Sequence, residues 1–206
     1  MTRPSGRRPR RGHTPRRERR VIRVLTEGKV TEPSYLTAWA RRYRHSVSLS
    51  LPESGMAPET LINHASQHIR RRRRSKRSEQ DFDEIWCVFD IDHTRTYRLP
   101  YTTHGKVASR LRVSNPCMEL WLVLHAEDQT AHINRRNVQR PANELQLTSG
   151  KRIPDTAWSS LFDEFETARR RAKALYERHA GNGSPPRSNP STDIWRLVDQ
   201  IRHDQP

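Results

Sequence analysis

One segment constrains this chain more than any other: Glu84-Ile85-Trp86-Cys87-Val88-Phe89, followed at once by Asp90-Ile91-Asp92. A short, continuous apolar run of this kind reads as a strand covered on both faces, as in a parallel sheet between helices. Side chains two apart on a strand share a side. The carboxylates of Asp90 and Asp92 are therefore expected to face one place. A second β-branched run, Val21-Ile22-Arg23-Val24-Leu25, reads as another buried strand and is broken by Thr26-Glu27-Gly28.

Helical patterns separate these runs. Thr31 is a plausible N-cap, with Pro33 tolerated in the first turn, and Tyr35, Leu36, Trp39 and Tyr43 fall on one helical face. Residues 47–51 read as a shorter strand. Residues 58–69 read as a helix with Leu61, Ile62, Ala65 and Ile69 inward. Residues 93–105 are polar loop, and 107–112 read as a helix running into a short strand. Ser114-Asn115-Pro116 is expected to be a turn, and residues 117–125 an apolar helix. Little periodicity is visible from about 128 to 154. Residues 160–179 read as one charged amphipathic helix. Ser191 or Thr192 is expected to cap a last helix carrying Ile194, Leu197, Val198 and Ile201. Strands alternating with helices imply βαβ units. The expected fold is α/β: a Rossmannoid, mostly parallel sheet flanked by helices, with a C-terminal helical extension. The expected organisation is a disordered basic arm (1–20), one domain (21–180), a flexible linker (181–190) and a helix packing back on the domain (191–206).

The chain has 206 residues and a formal net charge of +16. Such a charge favours polyanions, and nucleic acid is the commonest. The run Arg70-Arg71-Arg72-Arg73-Arg74, continued by Lys76 and Arg77, is expected to track a phosphate backbone, a contact that positions without reading sequence. No apolar run is long enough to span a membrane, and the basic N-terminus lacks the apolar stretch of a secretory signal. A soluble, cytoplasmic protein is expected. Cys87 and Cys117 sit in apolar runs and read as small core residues.

The acids are the chemically informative residues. Glu27, Asp90 and Asp92 end strands, and in open α/β sheets ligands bind beyond the strands' carboxyl ends. Hard oxygen donors of this kind suit Mg²⁺ or Mn²⁺. Glu32 and Glu119 each lie in a first helical turn. Either is equally well read as a favourable charge at a helix N-terminus or as a further metal ligand. Lys29 follows the Glu-Gly turn, where it reads first as a solvated lysine and second as a phosphate contact. His93 and His125 are alternative proton carriers, each more often structural. Trp39, Trp86 and Trp121 read as core.

Three segments, V-I-R-V-L-T-E-G-K-V-T-E-P-S-Y-L, E-I-W-C-V-F-D-I-D-H and S-N-P-C-M-E-L-W-L-V-L-H, together with the tail N-P-S-T-D-I-W-R-L-V, resemble the RloB family of bacterial restriction and phage-defence loci. The resemblance covers most of residues 21–201. That family in turn looks like a divergent Toprim domain, whose pattern is a Glu after the first strand and a D-x-D after a later one. The resemblance implies that Glu27, Asp90 and Asp92 are catalytic metal-site residues. It implies that Glu32 is the second acid of an E-G-x-x-x-E-type motif, and that Glu119 is a hallmark without an assigned role. Two departures stand out. The segment after Asp92 carries His93, Thr94, Tyr97 and His104 rather than a clean helix, and no catalytic Tyr is evident in an appended domain. The expectation is a Mg²⁺-dependent nuclease acting on DNA or RNA. Its rivals are a non-catalytic nucleic-acid binder, an effector that needs a partner ATPase or restriction-system protein, and a primase-like nucleotidyltransferase.

Overall fold

The computed structural model describes residues 19–52, 54–74, 82–91 and 110–202. Five strands form one sheet: β1 (Arg20–Thr26), β2 (Val47–Ser50), β3 (Glu84–Asp90), β4 (Leu111–Asn115) and β5 (Ser191–Thr192). The spatial order is β2-β1-β3-β4-β5. The first four strands are parallel, and β5 pairs antiparallel with β4. Seven α-helices lie among the described residues: α1 (Thr31–Arg42), α2 (Pro58–Arg74), α3 (Met118–Ala126), α4 (Arg135–Glu144), α5 (Trp158–Asp163), α6 (Phe165–Gly181) and α7 (Trp195–Arg202). This is the expected Rossmannoid α/β fold with its C-terminal helix.

Period-two alternation divides the core. Ile22, Val24, Trp86 and Val88 face a large cluster containing Tyr35 and Trp39 of α1 and Trp121 of α3. Their neighbours Leu25, Ile85, Cys87 and Phe89 face a smaller cluster built on Leu61, Ile62 and Ala65 of α2. A strand apolar on both faces is thereby buried on both. Helix α3 is buried from Met118 to His125, and of those residues all but Glu119 and His125 are apolar, as in a helix enclosed by others. Cys87 and Cys117 are buried free thiols, and Trp39, Trp86 and Trp121 are core. No described helix is long and apolar enough to cross a membrane.

Several expectations need correction. Strand β1 begins at Arg20, inside the segment expected to be disordered; residues 1–18 lie outside the described residues. Val30, not Thr31, occupies the N-cap position of α1, and Thr31 Oγ1 instead donates to Lys151 O (2.8 Å). Helix α2 continues five residues past the expected end, through Arg74. Ser114 and Asn115 are the last residues of β4 rather than a turn, and the chain bends at Pro116. The stretch 128–154 contains α4, which Pro141 disguises, because proline in a helix interior removes a backbone donor. The helix expected over 160–179 is two, α5 and α6, meeting at Glu164. Ser191 and Thr192 form β5 rather than a cap, and Ser114 Oγ lies 2.9 Å from Thr192 Oγ1. The stretch read as a linker is tied down, since Asn189 Nδ2 donates to Ile133 O (2.7 Å) and to Asn115 Oδ1 (3.1 Å).

His125 is a core residue, 2% exposed. Its Nδ1 lies 2.9 Å from the Trp121 carbonyl, which can only accept, so Nδ1 carries the hydrogen. Burial pulls its pKa from 6.5 to about 4. Stability from keeping this ring neutral is present above the unfolded value and is lost as pH falls toward the folded one. Between neutral pH and about pH 4 the loss is expected to be about 3 kcal/mol. Urea unfolding at the two pH values should show that His125→Phe loses correspondingly less stability than the parent. Equal losses would contradict this assignment.

Candidate functional site

The chain passes from β1 to β2 on one side of β1 and then crosses to β3 on the other. The gap beyond the carboxyl ends of β1 and β3 is thus the switch point of the sheet, where crossing connections diverge and leave a crevice. Glu27 and Asp90 sit there. Glu27 N donates to Val88 O (3.0 Å), so the residue after β1 still follows the ladder. Glu27 Oε2 accepts the backbone N–H of Asp90 (3.0 Å), and each strand end thereby fixes the other.

Two helix starts add two more acids. Gly28 N donates to Glu32 Oε1 (3.1 Å). A Cβ at position 28 would lie 1.8 Å from Glu32 Oε2, so glycine is what lets this carboxylate lie against the turn. Glu119 is 2% exposed in the first turn of α3. Its Oε1 accepts from Lys151 Nζ (3.1 Å) and Gln139 Nε2 (3.3 Å). Asp90 Oδ2 accepts from Arg135 Nη2 (3.0 Å). All four acids line one cavity of about 290 Å³, together with Lys29, Arg135 and Lys151.

The electrostatics follow from burial. Desolvation, then the charge of Glu119, holds the Glu32 carboxyl above its ordinary value. Desolvation, then the charge of Glu32, holds Asp90 well above the usual range, against the pull of Arg135. Glu119 behaves differently. Burial pushes it up, but the Cys117 thiol and the Lys151 ammonium outweigh that and keep it below its ordinary value. The thiol is itself raised, by burial and by the Glu119 charge, and so remains a donor.

Of the sequence-predicted acids, Glu27, Glu32, Asp90 and Glu119 come together, while Asp92 and His93 lie outside the described residues. A hard divalent cation would find donors of the right kind in these four. Among the described residues, however, no three His, Cys, Asp or Glu side chains are grouped closely enough to hold an ion. Arg135 and Lys151 supply the counter-charge.

The predicted basic run is elsewhere. Leu61 O lies 3.7 Å from Cys87 Sγ at the middle of β3, level with Leu25 of β1, whereas His68 Nδ1 lies 3.2 Å from Arg23 Nη1, two positions nearer the amino ends of the strands. Helix α2 therefore runs antiparallel to the strands and carries Arg70, Arg71, Arg72, Arg73 and Arg74 to the end of the sheet opposite the acids. Lys76 and Arg77 lie outside the described residues. Lys29 is exposed and lines the cavity.

Sequence reasoning missed Arg135, Gln139 and Lys151. One signal was available. Asn134 accepts from Asn137 N (2.9 Å) as the N-cap of α4, and the buried Val138 and Ala142 are four apart. Lys151 had no such signal, because it arrives through the Thr31–Lys151 hydrogen bond between distant segments.

A family model described as RloB-like protein matches residues 22–201. No curated protein and no solved structure matches the chain.

A carboxyl raised in the folded state contributes stability below its unfolded value and loses it as pH rises through the folded one. Glu32→Gln keeps the acceptor for Gly28 N–H and removes the charge. It is expected to raise Tm at about pH 8 and to have no advantage at about pH 4, by scanning fluorimetry. A lower Tm at both pH values would contradict the assigned repulsion.

Proposed function

The chain belongs to the RloB-like family, and we propose that within it the protein is a metal-dependent nuclease of Toprim-like type, hydrolysing phosphodiesters of DNA or RNA in restriction-associated or anti-phage defence. One observation carries this reading: acids from two strand ends and two helix starts, in a chain of net charge +16, line a single crevice at the sheet's switch point. A fold that gathers buried carboxylates where ligands bind sacrifices stability there, as functional sites do.

The donor types suit Mg²⁺ or Mn²⁺, although the described acids would have to draw closer to share an ion; Glu27 and Asp90 would be the central ligands, Asp92 a candidate outside the described residues, and Glu32 and Glu119 supporting acids. Such an ion, when bound, stabilises charge on a phosphoryl oxygen and lowers the pKa of a bound water. The remaining work falls to the chain itself. Glu27 is half-buried and is held by the Asp90 N–H, so its carboxylate is oriented before substrate arrives. It is placed to ligate or to accept the proton of an attacking water. Arg135 is about one-third exposed, and the Lys151 side chain is 57% exposed. Each can exchange its carboxylate for a phosphate oxygen, because both anions suit the same donors. Lys29 is a third cation on the same wall.

A second reading has an observation of its own. The Arg135–Asp90 and Lys151–Glu119 pairs satisfy two of the acids without any ion. That favours a nucleic-acid binder in which the acids serve only the fold.

Incubating the protein with single-stranded DNA, duplex DNA and tRNA separates the two. The nuclease reading expects cleavage with Mg²⁺ or Mn²⁺, none in EDTA, and a loss of at least about 100-fold in Asp90→Ala with binding retained. Binding without cleavage under every metal condition would sink it and leave the binder. A requirement for an added ATPase partner would keep the site and relocate the trigger.

A further inference from the structure

A second concavity, of about 710 Å³, adjoins the acidic crevice and shares Val30 with it. One wall is a stripe of α1, from Val30 through Ser34 and Thr37 to Arg41, at the i, i+4, i+7, i+11 spacing of one helical face. The other wall is Arg152, Ile153, Trp158 and Phe162. Lys151 belongs to the crevice and the next residue, Arg152, to the groove, so a linear ligand can pass from one to the other.

The groove has an aromatic step. Buried Trp39 meets Phe162 edge-on, with centroids 4.9 Å apart, and Phe162 stacks on Trp158 at 6.0 Å with an interplanar angle of 28°. Trp158 is half-buried and forms the outer end of this ladder. Exposed Arg41 and Arg152 line the same groove, against one acid, Asp155. A partly exposed indole in a groove that also carries two arginines suits a base on the ring and phosphates on the cations. It does not suit a duplex, whose bases are already stacked on one another and show only their edges.

We propose that the groove between α1 and α5 binds single-stranded nucleic acid, with a base stacked on Trp158 and the backbone held by Arg41 and Arg152, and feeds that strand to the acidic crevice. The inference rests on the nuclease reading for its purpose, but it is measured by binding alone. The arginines at the far end of α2 offer charge without an aromatic step, and charge alone would not distinguish the two forms.

The test is fluorescence anisotropy on the full chain in EDTA, with labelled single-stranded DNA, single-stranded RNA and duplex DNA probes of about a dozen residues. Trp158→Ala is expected to weaken single-strand binding about tenfold and leave duplex binding unchanged. Trp158→Phe should retain most of the affinity, and Trp158→Leu should behave as alanine, because volume without a π-face does not stack. Arg152→Gln should lower the salt slope of single-strand binding by about one. Intact duplex binding and an unchanged melting profile certify that the variants fold. Should Trp158→Ala leave the single-strand to duplex ratio unchanged, or should leucine serve as well as tryptophan, the proposal is overturned and the groove is an apolar contact for a protein segment. A preference between the DNA and RNA strands that Trp158→Ala abolishes would identify the sugar read there. Because no metal is present, a protein that never cleaves can still pass, and a nuclease that cuts duplex can still fail.

Discussion

Taking carboxylates out of water is costly unless hydrogen-bond donors or cations replace the lost hydration. At the carboxyl edge of its sheet this chain does so repeatedly within one crevice. Each acid receives a partial replacement from a different part of the chain. Glu27 takes the Asp90 N–H, Glu32 the Gly28 N–H, Asp90 the Arg135 guanidinium, and Glu119 both Lys151 and Gln139. The compensation is incomplete for two of them, because burial and mutual repulsion still hold Glu32 and Asp90 above the ordinary carboxylate range. That residual repulsion is what a bound cation would relieve under the proposed function.

The fold supplies the geometry for this at little local cost. A β2-β1-β3-β4 order places the ends of β1 and β3 side by side while sending their following segments apart. The Glu27–Asp90 contact is then a consequence of register, in which Thr26 pairs with Val88, rather than of any special loop. The same topology separates the two kinds of charge. Helix α2, running back along the sheet, takes its arginines away from the acids, while α4 and the Ser149–Arg152 turn bring other cations in. Segregation of this kind keeps the strongest basic cluster from neutralising the crevice.

Much of this was legible in the sequence where the physics is local. An apolar strand ending in acids, a glycine after Glu27 and an apolar helix opening with Met118-Glu119 all announce themselves through short-range pattern. What escaped was either masked or non-local. Pro141 hid α4, and with it Arg135 and Gln139. Ser191 and Thr192 looked like a cap, because hydroxyls at a helix start and in a short edge strand are indistinguishable until β4 is known to lie beside them. The arginine run was read correctly as basic, but its position depends on the direction of α2, which only the sheet order determines. The reach of Lys151 to Glu119 joins residues with no sequence signal in common.

The most direct measurement is a crystal structure after soaking in Mn²⁺, with anomalous scattering locating the ion. The expected result is a peak in the crevice within about 2.2 Å of oxygens from Asp90 and at least one of Glu27, Glu32 and Glu119, with the Arg135 guanidinium drawn off Asp90. A saturating soak that leaves the crevice without a peak and the Arg135–Asp90 pair intact would contradict the proposal that these acids are gathered to bind a divalent cation.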